Sequence, residues 1–175
     1  MARVEVVRTY LEMCTPEALR AAASPDPRAR VERVHGCAPS FFRYLYAEVG
    51  RACHWVDRLG WTDADARARL ASPAVSLFLL SLAGAPAGFF ELARHEDASV
   101  EIAYLGLLPE FQGRGLGSYL LSQAAAAAWA LGPPRVWLHT CTLDGKAALP
   151  NYVARGFRAY RTERYEADVA SPAPA

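Results

Sequence analysis

A glycine-rich stretch, Gln112-Gly113-Arg114-Gly115-Leu116-Gly117, follows an apolar run and precedes a segment with helical periodicity. The apolar run at residues 100–108 predicts a strand, and the spacing over residues 118–131 predicts a helix. The first N–H groups of a helix have no partner inside the helix and lie at the positive end of its dipole. Because glycines let the backbone approach a ligand closely, the stretch is suited to bind a phosphate or pyrophosphate. Arg114 adds a planar cation to the same site.

Two common phosphate-binding loops fit this stretch poorly. A Walker A loop carries Lys and then Ser or Thr after its last glycine, whereas Leu116, Gly117 and Ser118 stand here. A dinucleotide-binding loop needs a third glycine at the position of Ser118 and an acidic residue about 20 positions further on. The region near Trp137 offers no such carboxylate.

The stretch does match the pattern Q/R-x-x-G-x-G/A, through Gln112, Gly115 and Gly117. Residues 107–109 precede it as Leu-Leu-Pro, and residues 152–157 follow as Y-x-x-x-G-F. Together these motifs resemble the two conserved segments of the GNAT superfamily of N-acetyltransferases, over about a third of the chain. The resemblance implies acetyl-CoA as co-substrate and a primary amine, expected to belong to a small molecule, as acceptor.

The resemblance also assigns the contacts to CoA. It places them at the glycine-rich stretch from Gln112 to Gly117, at the backbone around Leu107 and Leu108, and at the downstream segment with Asn151. That segment departs from the family pattern N-x-x-A-x-x-L-Y, since Gly145 stands at the position of the asparagine. Because Pro150 removes an N–H, we expect the short helix there to start late or to be kinked.

Three side chains are candidates for the chemistry of acetyl transfer. An amine must lose a proton before it attacks, so a general base is needed. Glu101 lies eleven positions before Gln112, the spacing of a catalytic glutamate in some members of the family. His139, on the apolar run 136–141, is the second candidate base. Tyr152 matches a family tyrosine that protonates the departing sulfur.

Each of the three has a structural alternative. Glu101 can be an ordinary polar residue on a strand, His139 a hydrogen-bonded structural histidine, and Tyr152 an aromatic ring packed at a helix end. Cys141 shares the face of His139 by strand alternation, but no activating partner for a covalent route is apparent.

The acceptor site is expected in the front part of the chain, within residues 39–72. This region is dense in aromatic and charged residues, which are suited to bind a cationic amine. The alternative is that the tryptophans are core anchors and that the charges face solvent. The residues concerned are Tyr44, Tyr46, His54, Trp55, Asp57, Arg58 and Trp61.

The elements that must position these residues follow from hydrophobic periodicity and turn signals. Strands are predicted at residues 7–13, 75–82, 88–93, 100–108, 136–141 and 158–166. Helices are predicted to begin at Thr15, at Pro39 and at Thr62, before the long helix at 118–131. This order is that of the GNAT fold, so the expected fold class is α/β (α+β). It is a mixed, mostly antiparallel sheet with helices on both faces and a central strand–helix–strand crossover.

Composition favours one domain over residues 1–168, with an acetyl-CoA half at 100–157 and a disordered tail at 169–175. The net charge of +1 among 175 residues gives no reason to expect nucleic acid, and no apolar run has the length of a membrane span. The start lacks a signal-peptide pattern and the four cysteines lack C-x-x-C spacing. We therefore expect a bacterial-type cytoplasmic protein with reduced thiols and no metal.

Three questions stay open at this level. The chain can be an enzyme, or a CoA-binding sensor of the same fold, because fold does not fix activity. The acceptor can also be a protein N-terminus or a lysine. A homodimer is compatible with the resemblance, since dimers are frequent in the superfamily.

Overall fold

The computed structural model describes residues 2–169, and this part of the chain contains seven strands and four α-helices. The strands are β1 (Ala2–Met13), β2 (Ala29–Arg33), β3 (Val75–Leu82), β4 (Ala85–Arg94), β5 (Val100–Leu107), β6 (Val136–Cys141) and β7 (Arg158–Val169). The helices are α1 (Pro39–Gly50), α2 (Asp63–Ala71), α3 (Leu116–Trp129) and α4 (Ala148–Ala154). Single 3-10 turns lie at Pro16–Ala18, Arg51–Cys53 and Pro109–Phe111.

All seven strands form one mixed sheet in the order β2-β3-β4-β5-β6-β1-β7. Five neighbouring pairs are antiparallel, and β5 and β6 are parallel. The crossover between these two strands contains α3, so the predicted fold class is confirmed. No helix in residues 2–169 is long and apolar enough to cross a membrane.

Two apolar clusters pack on opposite faces of the sheet. Phe89 and Phe90 are neighbours in β4 and both are fully buried, but they belong to different clusters because successive strand residues point to opposite faces. The larger cluster lies under α3, whose alanines at 124, 125 and 128 are all fully buried. The smaller cluster lies under α1 and α2.

Gly106 sets how closely α1 approaches β5. A Cβ atom at this position would collide with a methyl group of Val49, which lies in the last turn of α1. The absence of a side chain at Gly106 therefore lets the helix lie directly against the strand.

The helix predicted to begin at Thr15 is wrong. The structure has one 3-10 turn there, and Thr15 makes no capping hydrogen bond to the described residues. The chain beyond it is held by other elements, since the Arg20 N–H donates to the Arg155 carbonyl at 2.9 Å. The Ala22 N–H likewise donates to the Ser122 hydroxyl of α3 at 2.8 Å. These tertiary hydrogen bonds replace those that a helix would make.

Strand β2 is absent from the predicted order of elements. It is an edge strand with charged side chains at three of its five positions, and of its residues Ala29 alone is buried. Such a short, polar edge lacks the apolar alternation on which strand prediction depends.

Other predicted elements are confirmed. Strand β3 spans the predicted residues 75–82, and Thr62 caps α2 in a reciprocal capping box with Asp65. Strand β7 continues to Val169, beyond the predicted end at 166 and into the first residue of the expected tail. Residues 170–175 of that tail lie outside the described residues.

Candidate active site

The gap between β5 and β6 is the central feature of the site. Within residues 2–169 the two strands pair only at Val100–Val136 and at Glu101–Trp137, after which they separate. A bulge in β5 coincides with this point, because Ile102 and Tyr104 face successive residues of β4 and leave Ala103 as an extra residue. Bulges bend the strand that carries them, which accounts for the divergence.

Backbone groups of β5 line this gap. The Leu108 N–H donates to the Ala87 carbonyl of β4 at 2.9 Å, so it is unavailable to a ligand, although the resemblance places a CoA contact at Leu108. By strand alternation, the backbone groups of Leu107 and Leu105 point away from β4 and into the gap. The side chain of Gln112 donates to the Leu107 carbonyl at 3.3 Å, which agrees with that direction.

The glycine-rich stretch turns the chain from the end of β5 into α3. Gly113 and Gly115 have φ values of +71° and +76°, in the left-handed region that favours glycine. A Cβ atom at Gly113 would meet no atom of the described residues within 4 Å. Helix α3 begins at Leu116 without a side-chain cap from this part of the chain, so its first N–H groups are open to an anion. Arg114 is exposed and its guanidinium lies 5.4 Å from the centre of the Phe111 ring.

Asn151 braces the start of α3 from the side. Its amide donates to the Gly117 carbonyl at 3.3 Å and accepts a hydrogen bond from the Ser118 hydroxyl at 3.0 Å. Helix α4 begins at Ala148, two residues before Pro150, so the proline occupies the first turn and costs the helix little.

Tyr152 lies on α4 with its side chain buried. Burial raises the pKa of Tyr152, and the nearby Asp144, Cys53 and Cys141 raise it further, so the hydroxyl stays protonated. The pKa of Cys141 is also raised, again mainly by burial. A thiol in that state is a poor nucleophile, which disfavours the covalent route.

Glu101 lies between two histidines where β5 and β6 separate. Its neighbours Val100 and Ile102 belong to the cluster under α3, so Glu101 faces the opposite side of the sheet. His139 is on that side too, with Nδ1 3.5 Å from Glu101 Oε1. The other carboxylate oxygen, Oε2, lies 2.9 Å from His95 Nε2.

The two histidines decide the ionisation of Glu101. Burial by itself would raise the pKa of the carboxyl group, but interactions with His139 and His95 outweigh burial and leave the pKa below its ordinary value. Glu101 is therefore an ionised carboxylate at neutral pH and a weak base. In the described part of the chain, no three His, Cys, Asp or Glu side chains converge as a metal site.

Of the seven residues predicted to bind the acceptor, Tyr46 and Arg58 are buried, and Trp55 and Trp61 are partly buried. Arg58 is buried and donates to both oxygens of the fully buried Glu91, at 2.6 and 2.9 Å. Its guanidinium lies 4.2 Å from the centre of the Tyr104 ring and 4.6 Å from that of Trp61. Two further aromatic residues of this region, Tyr46 and Trp55, pack against Tyr104.

Several residues of this region remain on the surface. Tyr44 is half exposed, and Asp57 and His54 are exposed. Asp57 accepts a hydrogen bond from the Tyr104 hydroxyl at 3.2 Å. The structure thus brings Tyr46, Trp55 and Trp61 together around the buried Arg58. The two tryptophans pack on the cluster under α1 and α2, as the alternative of core anchors expects, whereas Arg58 does not face solvent.

The sequence model of the acetyltransferase (GNAT) family matches residues 40–157, which include the glycine-rich stretch, Glu101, His139 and Tyr152. The chain belongs to the GNAT family. A search of curated proteins gives no match.

Solved structures share the GNAT fold at low sequence identity. A GCN5-related N-acetyltransferase from Kribbella flavida is 20% identical with a TM-score of 0.67, over 94% of this chain and 58% of that one. A GCN5-related N-acetyltransferase from Sphaerobacter thermophilus is 14% identical, with a TM-score of 0.66, over 94% and 51%. The GNAT chain described here thus spans little more than half the length of these two proteins.

A third structure is closer in length. It is an aminoglycoside acetyltransferase from an uncultured soil metagenomic sample in complex with trehalose, with 16% identity and a TM-score of 0.61. The match covers 75% of this chain and 90% of that one. At these identities the comparison establishes the fold that this GNAT chain shares with the three structures.

Two parts of the site are not predicted by the sequence. The sequence places His95 in a polar connection, although hairpin pairing of β4 with β5 brings it beside Glu101. It places Tyr10 only in the first strand, yet β1 inserts between β6 and β7 and sets Tyr10 opposite His139. The position of His95 could have been found from the register of the β4–β5 hairpin, which is a short-range feature. The sequence of β1, by contrast, does not indicate that this strand pairs with β6.

Proposed function

We propose that this protein is an N-acetyltransferase that moves the acetyl group of acetyl-CoA directly to a primary amine of a small molecule. The observation that carries the proposal is the gap between β5 and β6. An uncapped, glycine-rich helix start follows its open end, and a cluster of one carboxylate and two imidazoles lies where the gap begins. Membership of the GNAT family supports acetyl transfer as the reaction.

The residues around the glycine-rich stretch fit the charged part of acetyl-CoA. Open space at Gly113 and free N–H groups at the start of α3 are suited to a pyrophosphate, and the exposed Arg114 adds a cation. The N–H groups of Leu105 and Leu107 face the gap, where the described residues supply no partner strand, and can bind the amide groups of the pantetheine arm. Asn151 acts indirectly in this scheme, because it holds the first turn of α3.

His139 takes the proton of the amine, and Glu101 positions it. Both oxygens of Glu101 face imidazole rings, and a carboxylate with a lowered pKa is a poor acceptor for an ammonium proton. With Nδ1 of His139 facing Glu101, Nε2 is the nitrogen left to accept the proton while the nitrogen–carbon bond forms and the carbon–sulfur bond breaks. The carboxylate then stabilises the imidazolium.

Tyr152 donates a hydrogen bond to the departing sulfur. An ordinary thiol has a pKa near 8.5, and the raised pKa of Tyr152 lies above it, so the tyrosine keeps its proton and the thiolate accepts a hydrogen bond. This role differs from full protonation, which the resemblance implies. It stabilises developing negative charge in a buried setting, where such hydrogen bonds are strongest.

The acceptor binds on the sheet face that carries His139. Tyr10 lies beside His139 on that face, with 5.6 Å between the two ring centres. The ring centres of Trp137 and Tyr160 lie 6.4 Å and 6.2 Å from that of Tyr10 and extend the aromatic surface. Aromatic faces attract cations, and here Arg161 and Arg135 already lie 5.2 to 5.9 Å from the centres of these rings, so an acceptor amine would have to compete with them. Aminoglycosides belong in a first panel of acceptors because one solved structure with this fold is an aminoglycoside acetyltransferase.

The experiment is release of free CoA thiol from acetyl-CoA in the presence of small amines, amino acids, aminoglycosides and peptides. We expect release that depends on one class of amine, with one acetylated product per thiol. Binding of acetyl-CoA without release in any mixture would instead support a CoA-binding sensor. Release with peptides alone would identify a protein acetyltransferase.

A further inference from the structure

His95 occupies a turn that is held on several sides. Its N–H donates to the Ser99 carbonyl at 2.9 Å, and its carbonyl accepts from the Ala98 N–H at 3.0 Å. The Ser99 hydroxyl donates to Asp97 at 2.6 Å and accepts from the Trp137 indole at 3.2 Å. The turn between β4 and β5 is thereby fixed to β6, and the His95 ring lies 5.2 Å from the ring of Trp137.

The direction of the hydrogen bond between His95 and Glu101 follows from the charge of the carboxylate. An ionised carboxylate only accepts hydrogen bonds, so the hydrogen must be on His95 Nε2, 2.9 Å from Oε2. The Glu101 side chain is 13% exposed, while that of His95 is 41% exposed. His95 therefore covers the carboxylate on the side of an open groove of about 530 Å³ that it lines with Arg94 and Arg135.

The second carboxylate oxygen of Glu101, Oε1, lies next to a buried ring nitrogen of His139. His139 Nδ1 is buried and makes no hydrogen bond within residues 2–169. It lies 3.5 Å from Oε1, a distance that can shorten when a substrate closes the site. A hydrogen on Nδ1 satisfies this pair, and in a neutral ring it leaves Nε2 free as an acceptor.

We propose that His95 is a positioning residue, which holds the Glu101 carboxylate so that His139 keeps its hydrogen on Nδ1 and presents Nε2 as the base. This inference rests on the proposed function, and it extends that function by a residue outside the family motifs. His95 itself touches neither the acetyl group nor the amine in this scheme.

The decisive variants exploit the shape of the imidazole ring. In His95→Gln the side-chain amide nitrogen replaces Nε2 and can still donate to Glu101. In His95→Asn the amide group takes the place of Nδ1 and does not reach the carboxylate. Glu96→Gln, a change in the same exposed turn, is the matched control.

Nitrogen NMR of the histidine rings tests the inference without any substrate. The chain has four histidines, so each ring can be assigned by single substitutions. At a pH where the ring is neutral, we expect His139 to carry its hydrogen on Nδ1 in the wild type, in His95→Gln and in Glu96→Gln. We expect that tautomer to lose population in His95→Asn. An Nε2–H tautomer in the wild type, or an unchanged Nδ1–H tautomer in His95→Asn, would overturn the inference.

Steady-state kinetics give the second readout. His95→Asn should lower kcat about tenfold, the effect of losing one hydrogen bond to a charged group, with an unchanged KM for acetyl-CoA. His95→Gln should restore kcat to within about twofold of the wild type. Equal kcat in both variants overturns the positioning role. A wild type that releases no thiol overturns the proposed function instead, and the NMR result still decides whether His95 positions His139.

Discussion

His139 Nδ1 lies 3.5 Å from Glu101 Oε1, and Glu101 belongs to the last residue pair that joins β5 to β6. The two strands run parallel and come from opposite ends of the α3 crossover, so the pair forms only when the crossover is complete. A carboxylate that faces an imidazole in this way favours one tautomer and stabilises the protonated ring. The relationship is the basis for assigning the base of the reaction to His139.

Replacement of the base should abolish most of the activity without affecting the co-substrate. His139→Ala is expected to lower kcat by about 10²–10⁴-fold, the usual contribution of a general base. The affinity for acetyl-CoA in calorimetry should stay unchanged. His35→Ala, in the loop after β2, is the control and should keep full activity. A kcat of His139→Ala within twofold of the wild type would contradict the assignment.

Replacement of Tyr152 should have a smaller effect. Tyr152→Phe removes one hydrogen bond to the leaving sulfur, so we expect kcat to fall about tenfold. The ring still packs at the end of α4, so the melting temperature should change little. Stopped-flow measurement of thiol release separates this step from binding. A loss of stability with unchanged kcat would show that the hydroxyl supports the fold and not the departure of the sulfur.

The glycine-rich stretch can be tested with two matched glycines. Gly113 and Gly84 both have positive φ and open space where a Cβ atom would lie, but Gly84 is in the turn between β3 and β4. Valine at either position costs about 1–2 kcal/mol of stability, because a branched side chain disfavours this backbone conformation. Only Gly113→Val should also weaken CoA binding in calorimetry. Equal CoA affinities of the two variants would count against the assigned pyrophosphate site.

The buried ion pair should be important for stability. Glu91→Gln leaves both the buried Arg58 and the partly buried Arg69 without a full counter-charge, so we expect a loss of about 3–5 kcal/mol in the free energy of unfolding. Glu48→Gln, which removes a partly exposed partner of Arg51, should cost less than about 1 kcal/mol. Urea titration measures both. Similar losses of unfolding free energy in the two variants would mean that the buried pair contributes no more to stability than the exposed one.

The lowered pKa of Glu101 predicts a specific pH dependence. A carboxyl group whose folded pKa lies below its ordinary value of 4.5 stabilises the fold fully above that value. The stabilisation is lost as the pH falls through the folded pKa. The free energy of unfolding of the wild type, relative to Glu101→Gln, should therefore decrease as the pH falls below the ordinary carboxyl value of 4.5. A difference that increases instead would refute the pKa direction.

Much of the fold could be predicted because its signals are local. The apolar run of β3 and the Thr62 capping box of α2 define their elements within a few residues. The glycine-rich stretch is similarly local, since positive φ at Gly113 and Gly115 favours the residue type that stands there. Each of these features can be predicted from a few neighbouring residues, without the rest of the chain.

The remainder depends on contacts between distant residues. Pairing of β1 with β6 places Tyr10 beside His139, although the two residues lie far apart in the sequence. Likewise, the sequence suggests Arg58 for an acceptor pocket, because its charge is visible there and its pairing with Glu91 of β4 is not. Such pairings emerge only from the assembled sheet.

Transfer of a labelled acetyl group from acetyl-CoA to an amine would show the proposed reaction itself. Acetyl-CoA labelled with ¹³C in the acetyl group is incubated with the protein and the panel of amines, and products are identified by mass spectrometry. We expect a labelled amide on a small amine, in amounts equal to the thiol released, and no label retained on the protein. Label that stays on a cysteine of the protein, or label that reaches no amine, would contradict direct transfer in the gap between β5 and β6.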